Sequence, residues 1–410
     1  MTTLAFPRLS VSTLVANGEA ELKTGPFGTQ LKASEYTELG TPVINVRNIG
    51  MGSIKPDKLE FIPESTRDRL SGHILRRGDI VFGRKGAVER HVFIRAEQDG
   101  WLQGSDCLRL RLTSSRVEPL FASYFFLTEE HQQWMMNQCS HGATMASLNQ
   151  AILERIELPV PPLQVQRRIA GILSSYDELV ANSQRRIQIL ETMARALYRE
   201  WFVEFRFPGH EKFPRLNSPL GDIPHGWEVK TLGQICENFD RLRRPLSKMQ
   251  RAERQGEYPY YGAAKVFDYI NAFIFDGEYL LMAEDGSVIT TGRHPVLQLV
   301  NEKFWPNNHT HVLVGKPPFS THFLYLGLSE VDISPYITGA AQPKITQENM
   351  NRIPFVCAPR ELHQQLDRLV APMIRQTQSL QRQIQNLRRT RDLLLPRLLS
   401  GQITLTDTAA

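Results

Sequence analysis

The sequence predicts an α+β chain built as an internal repeat: a globular α/β domain, a long helix, a second globular α/β domain and a second long helix. Three observations carry this. One text recurs at a fixed offset of 197 residues, an apolar seam of helical period runs through both copies, and the segment before each copy is rich in short β-type runs punctuated by turns. At 410 residues the chain is also too long for one ordinary core.

The first globular segment, residues 1–158, holds the runs "TPVINVRNI", "GDIVFGRKG" and "CLRLRL". The first long helix is expected within 159–207. The offset places Gly142 on Gly339, Leu148 on Ile345, Gln150 on Gln347, Leu153 on Met350, Ile156 on Ile353 and Pro162 on Pro359. It then continues without a gap. Ile169, Ile172, Tyr176, Ile187, Leu190, Leu197 and Trp201 fall on Leu366, Leu369, Met373, Ile384, Leu387, Leu394 and Leu398, and Ser183 falls on Leu380. Steps of three and four make this a coiled-coil seam, whereas a strand would alternate with period two. Pro161-Pro162 and Pro359 stand where the helices start, since proline is tolerated in a first turn. About 40 residues of helix is ~60 Å, too long to lie on one small domain, so the two seams are expected to bury each other. Pro372 lies inside the second helix and is expected to kink or break it.

Residues 208–357 hold a Pro/Gly-rich linker, "FPGHEKFPRLNSPLGDIPHGW" at 207–227, and a second globular domain with the runs "EYLLMAEDGSVIT", "HPVLQLV" and "HTHVLVG". The second helix is expected within 358–401 and a tail at 402–410. Between the globular parts the likeness is weak. "RGDIVFGRKGAV" and "DGEYLLMAEDGSV" share an acid, a strand and a glycine turn. Similar helices joined to diverged domains fit a scaffold carrying two different working parts.

Composition narrows the function class. Hydrophobic content of 41% and charged content of 22% are those of a soluble globular chain, and no stretch reaches the ~18 apolar residues of a membrane span. Cys107, Cys139, Cys236 and Cys357 are dispersed without a CxxC pair and read as reduced core residues; with no signal peptide in "MTTLAFPRLSVSTL", a cytoplasmic protein is expected. The whole net charge of +5 is matched by residues 360–397 alone, where eight arginines face three acids. Phosphate-loop, GxGxxG, HExxH and GxSxG motifs are missing, as is the polar-Pro-Pro-aromatic motif of amino methyltransferases. His309 and His311 have no third ligand nearby in sequence, so neither a metal nor an enzyme activity is expected.

Loops suited to nucleic acid remain. "KTGPFGTQLKASEY" offers Phe27, Gly28, Thr29 and Gln30 where glycine allows close backbone approach. "RRGDIVFGRKGAVER" puts Arg84 and Lys85 on a glycine-bounded turn. The Gly-Ala turns opening each copy of the repeat add Gly142, Thr144, Gln342 and Lys344. The second domain contributes Arg243, Arg244, Tyr261, Ser287, Asn308 and His309, basic and amide groups beside tyrosines. Two other classes stay open on the residues alone: a nuclease or methyltransferase with an unrecognised site, and a coiled-coil adaptor whose domains bind protein.

These segments resemble the DNA-specificity subunits of type I restriction-modification systems. "KTGPFGTQLKASEY", "LRRGDIVFGRKGAV", "YPYYGAAKVFDYINAFIFDGEYLLMAEDGSV" and "PNNHTHVLVG" are similar to that family's target-recognition domains, and "RIELPVPPLQVQRRIAGIL" and "RRTRDLLLPRLLSGQI" to its conserved helices. Val165-Gln166 stands where the family usually has Glu-Gln, and "CAPRELHQQL" has drifted further. The resemblance implies an antiparallel helix pair, a pseudo-twofold arrangement, and two domains that each read half of an asymmetric, interrupted DNA site. It also implies two methyltransferase subunits as partners, with ATP-dependent motor-nuclease subunits able to join. S-adenosylmethionine, ATP and Mg²⁺ would then belong to those partners and no cofactor to this chain. A specificity subunit of a bifunctional type II system would share most of these features.

Overall fold

A computed structural model describes residues 6–139, 146–339 and 342–403. Two compact units partition the chain: residues 1–181 with 385–410, and residues 182–384. The division falls inside both long helices, Leu163–Tyr198 and Arg360–Leu399.

In the first unit a five-stranded sheet runs in the order Ala20–Thr24, Cys107–Leu112, Ile80–Gly83, His91–Phe93 and Met51–Gly52. "CLRLRL" becomes a strand residue for residue, because its leucines point into the core while Arg111 pairs with Asp79 through two 2.7 Å hydrogen bonds. A separate three-stranded sheet joins Glu60–Ile62, Thr41–Ile44 and Leu102–Gln103. In the second unit a six-stranded sheet runs Cys236–Asn238, Thr310–Gly315, Phe275–Ala283, Leu297–Pro306, Gln255–Tyr261 and Val266–Ile270.

The repeat extends to backbone hydrogen bonds. In the first unit, Arg8–Ser10 pairs antiparallel with Glu157–Pro159; in the second, Glu228–Thr231 pairs with Pro354–Cys357. The Val11 amide donates to the Ile156 carbonyl at 2.9 Å, and the Leu232 amide to that of Ile353 at 2.8 Å. Short helices Gln150–Glu154 and Gln347–Asn351 are capped by the side chains of Asn149 and Thr346, each satisfying a first-turn amide. The prolines sit immediately before the long helices. The Pro162 carbonyl accepts from Val165 and Gln166, and the Pro359 carbonyl from Leu362 and His363. The buried Gln166 then ties that start to the Glu118 amide and to the Arg116 and Pro161 carbonyls.

Within each unit, opposite ends of the two helices share one core, so they run antiparallel. Ile169, Ala170 and Leu173 join Leu395, Leu398 and Leu399 in the first; Ala194, Tyr198 and Trp201 join Leu362, Leu366, Val370 and Ile374 in the second. Asp177 adds an ion pair to Arg391 at 2.5 Å and accepts from the Tyr124 hydroxyl at 2.6 Å.

Three expectations need correction. The seam does not pass through Leu369, which is 46% exposed, nor centrally through Ile172, which is half-buried; it passes through Val370 and Leu173, both fully buried. The helix is not broken at Pro372: Arg360–Leu399 is one helix, and the proline lies on its exposed side, where water can satisfy the carbonyl its missing N–H leaves unpaired. The linker is not featureless either. Arg215–Ser218 and Gly221–Pro224 form a hairpin, and Phe207, Ile223 and Trp227 enter the second unit's core.

Candidate nucleic-acid interface

In the first unit, sheet register gathers the candidate loops. Thr24 pairs with Leu108 and Gly83 with Cys107, so strands 20–24 and 80–83 both end beside the start of strand 107–112. The loops that follow, 25–30 and 84–86, therefore leave the same end of the sheet. Close packing holds them: the Gly25 amide donates to the Cys107 carbonyl at 2.9 Å, and a Cβ on Gly25 would overlap the Gly104 carbonyl. Phe27 is 61% exposed, and Gly28, Thr29 and Gln30 are exposed with it. Gly28 adopts φ +65° with open space around it, the left-handed turn that glycine allows without strain. Lys85 is exposed and lies 3.4 Å from Asp106. Arg84 is half-buried, with its Nε unpaired. Gly142 and Thr144 lie outside the described residues.

The second unit repeats this frame bond for bond. The Arg84 amide donates to the Asp106 carbonyl, and the Glu284 amide to that of His309, both at 2.9 Å. Leu148 and Ile345 donate to the carbonyls of Arg84 and Glu284, both at 2.8 Å. Gly86 donates to Ala146 at 3.0 Å and Gly286 to Pro343 at 3.1 Å, with φ of +78° and +75° at the two glycines. The turn Arg84-Lys85-Gly86 thus corresponds to Glu284-Asp285-Gly286, and Asp106 to His309.

Not all candidates here are free to touch a ligand. Arg243 is internal: its guanidinium donates to Glu284 at 2.6 Å and to the Thr310 carbonyl at 2.7 Å, and its side chain is 15% exposed. Sequence reasoning counted it as a surface cation because charge runs do not reveal which guanidinium meets a carboxylate. Tyr261 is also engaged, donating its hydroxyl to Glu302 at 2.6 Å and stacking edge-on against Phe304. It lines a cavity of about 360 Å³ with Leu190, Ala194, Gln298, Met373 and Ile374. Arg244, Ser287, Asn308, Gln342 and Lys344 are exposed, and His309 is half-buried with Nδ1 2.6 Å from Asp285.

Ligating atoms of Asp240, Glu284 and His311 lie within 4.8 Å of one another. The charge there is already balanced: Arg243 and Lys344 contact Glu284, and His311 spans the Asp240 carboxylate at 2.6 Å and the Ile345 carbonyl at 3.0 Å. Burial raises the Asp240 pKa, but the hydrogen bonds from His311 and the Val312 amide outweigh it and hold the carboxyl below its usual range. These contacts make an internal ion-pair network. The four cysteines are buried and unpaired; burial pushes Cys107, Cys236 and Cys357 up to about 12 and Cys139 to about 11.

Sequence reasoning missed Asp106, Glu284 and Asp285 as members of the site. The one available trace was the weak likeness of "RGDIVFGRKGAV" and "DGEYLLMAEDGSV", each ending in a glycine turn.

The sequence profile of the type I restriction-modification DNA specificity domain matches residues 28–192 and again 224–387. The putative type I restriction enzyme MjaX specificity subunit of Methanocaldococcus jannaschii is 26% identical over 63% of this chain and 61% of its own length. The MjaIX specificity subunit of the same organism is 25% identical over 69% of each. Among solved structures, a type I restriction-modification S subunit from M. genitalium superimposes with a TM-score of 0.65 at 16% identity, covering 97% of both chains. Among the described residues, no helix is long and apolar enough to cross a membrane.

Proposed function

Because this chain belongs to the type I restriction-modification DNA specificity family and carries two copies of its domain, we propose that it is a sequence-reading subunit that performs no chemistry itself. Each domain reads one half of an asymmetric, interrupted site in double-stranded DNA. The observation that supports this best is the pair of equivalent turns: one hydrogen-bonded frame carries Arg84-Lys85 in the first domain and Glu284-Asp285 in the second, Lys85 exposed, Asp285 with 19% of its side chain exposed, and Glu284 turned inward to Arg243 and Lys344. A shared frame with different side chains is what two readers of different sequences require, because base pairs are distinguished in the major groove by their donors and acceptors.

Two methyltransferase subunits dock on the assembly, bringing S-adenosylmethionine, and ATP-dependent motor-nuclease subunits that use Mg²⁺ can join. Methyl transfer to an adenine requires that base to leave the stack, a task for the partners rather than for these loops.

The test is a methylome. The chain is expressed with its cognate methyltransferase subunit and modified adenines are mapped across the host genome. A split, asymmetric motif with a fixed gap is expected, and replacing residues 1–158 should change one half only. No new methylation, with the same partner active beside another specificity chain, would sink this reading.

A further inference from the structure

The two equivalent turns are reversed in charge, Arg84-Lys85 against Glu284-Asp285, and where the first turn meets the carboxylate of Asp106 the second meets the imidazole of His309. In the first domain a lysine on the turn faces an acid at the entry to the next strand: Lys85 Nζ lies 3.4 Å from Asp106 Oδ1. In the second an acid on the turn faces a nitrogen base at the same entry: Asp285 Oδ1 lies 2.6 Å from His309 Nδ1. The backbone bonds that match Arg84 to Glu284 and Asp106 to His309 make this a substitution at fixed positions, not a difference in loop path.

A carboxylate facing DNA is repelled by phosphate, and it is tolerated where the DNA offers it a donor. The donors on base edges in the major groove are the amino groups of cytosine and adenine; guanine and thymine present only acceptors, O6, N7 and O4, while adenine sets its N7 acceptor beside the amino donor. Lysine has the opposite requirement, since an ammonium only donates.

We infer that the two domains read one corresponding base position with opposite hydrogen-bond polarity, Lys85 donating to a guanine or thymine edge and Asp285 accepting from a cytosine or adenine amino group. This rests on the DNA-reading function proposed above, and adds to it which residues set the base at that position and in which sense. His309 and Asp106 are positioning residues here: each lies against its partner across the turn.

The experiment transplants the first domain's pair into the second, as Asp285→Lys with His309→Asp in the full chain. The site is read twice, by methylome with the cognate methyltransferase subunit and by selection of DNA from a random pool with the purified complex. One base pair in the second domain's half-site should change from an adenine or cytosine to a guanine or thymine on the contacted strand, with the other half unchanged. An unaltered motif overturns the inference. So does an affinity that falls equally for every sequence while circular dichroism and the unfolding midpoint stay at the parent's values, since that marks a phosphate contact or a scaffold role. If the double variant does not fold, Asp285→Asn serves: its amide both donates and accepts, so discrimination at that pair should drop about tenfold, and undiminished discrimination overturns the inference. A parent complex with no split motif at all would remove the DNA-reading function itself, and is told apart by being seen before any substitution is made.

Discussion

Substituting Val370 and Leu369 separately by alanine tests where the helix seam lies. Val370 is fully buried in the second unit's core with Leu366 and Ile374, whereas its neighbour is 46% exposed. Val370→Ala removes two carbons' worth of buried apolar surface, about 1.6 kcal/mol by transfer, and the cavity left behind adds to that, for a total of roughly 2–3 kcal/mol. Leu369→Ala strips surface that is already half in water and places a better helix former there, so about 0.5 kcal/mol or less is expected. The equivalent pair in the first unit should behave alike: Leu173→Ala costing about 3–4 kcal/mol and Ile172→Ala substantially less. Urea unfolding of each variant supplies the free energies. Calorimetry should show the Val370→Ala transition roughly 4–10 °C lower for a body of this size. Equal losses at 369 and 370 would refute the register, and a large effect at 172 with none at 173 would refute the repeat as the basis for predicting one helix from the other.

Three further outcomes follow from charged groups in the second unit. His322 sits between the carboxylates of Glu278 and Asp367, 2.9 Å from each; burial opposes its charge, but the hydrogen bonds to Asp367 and Glu278 and their charges outweigh that and raise it to about 9. A pKa raised on folding stabilises fully below the unfolded value of ~6.5 and loses that contribution as pH rises through 9, so unfolding free energy should fall by roughly 2 kcal/mol between pH 6.5 and 10, allowing for screening of the two partly exposed acids. His322→Gln should flatten that part of the profile. Arg243→Ala should destabilise by about 3 kcal/mol, because Glu284 and Asp240, which are 14% and 8% exposed, lose their shared cation and keep only Lys344 and His311. Arg244→Ala should leave unfolding unchanged and instead weaken binding to all DNA sequences with a shallower salt dependence; a loss at one base position only would make Arg244 a base contact.

What was legible in the sequence was whatever is periodic or self-similar. The seam, the constant offset and the strand Cys107–Leu112 depend on spacing, and spacing survives in one dimension. The seam's local shift from Ile172 to Leu173 was not legible, because two adjacent apolar residues satisfy the same three-four pattern and only packing chooses between them. The hairpin at 215–224 was hidden by prolines and glycines that also mark linkers. The candidate site was legible as loops but not as individual contacts. Arg243 and Arg244 are neighbours of identical chemistry, yet one is consumed by Glu284 and the other is exposed, and that depends on a partner 41 residues away.

The offset between equivalent residues itself records where the two domains diverged. It is 221 at Val11 and Leu232, 200 at Arg84 and Glu284, 203 at Asp106 and His309, and 197 from Ala146 and Pro343 to the ends of the long helices. The largest change falls between residues 11 and 84, the stretch that supplies most of the first unit's three-stranded sheet; the second unit instead carries the hairpin of Gln255–Tyr261 and Val266–Ile270 on its main sheet. Smaller changes bracket the loop ending at Asp106 and His309. No change occurs where the short capped helix, the strand pair and the helix start are hydrogen-bonded alike in both halves. Insertions are tolerated where chain leaves the sheet, because loop closure costs little per added residue, and are excluded where each backbone group already has its partner. A molecule built this way can vary each domain while the helices stay the same.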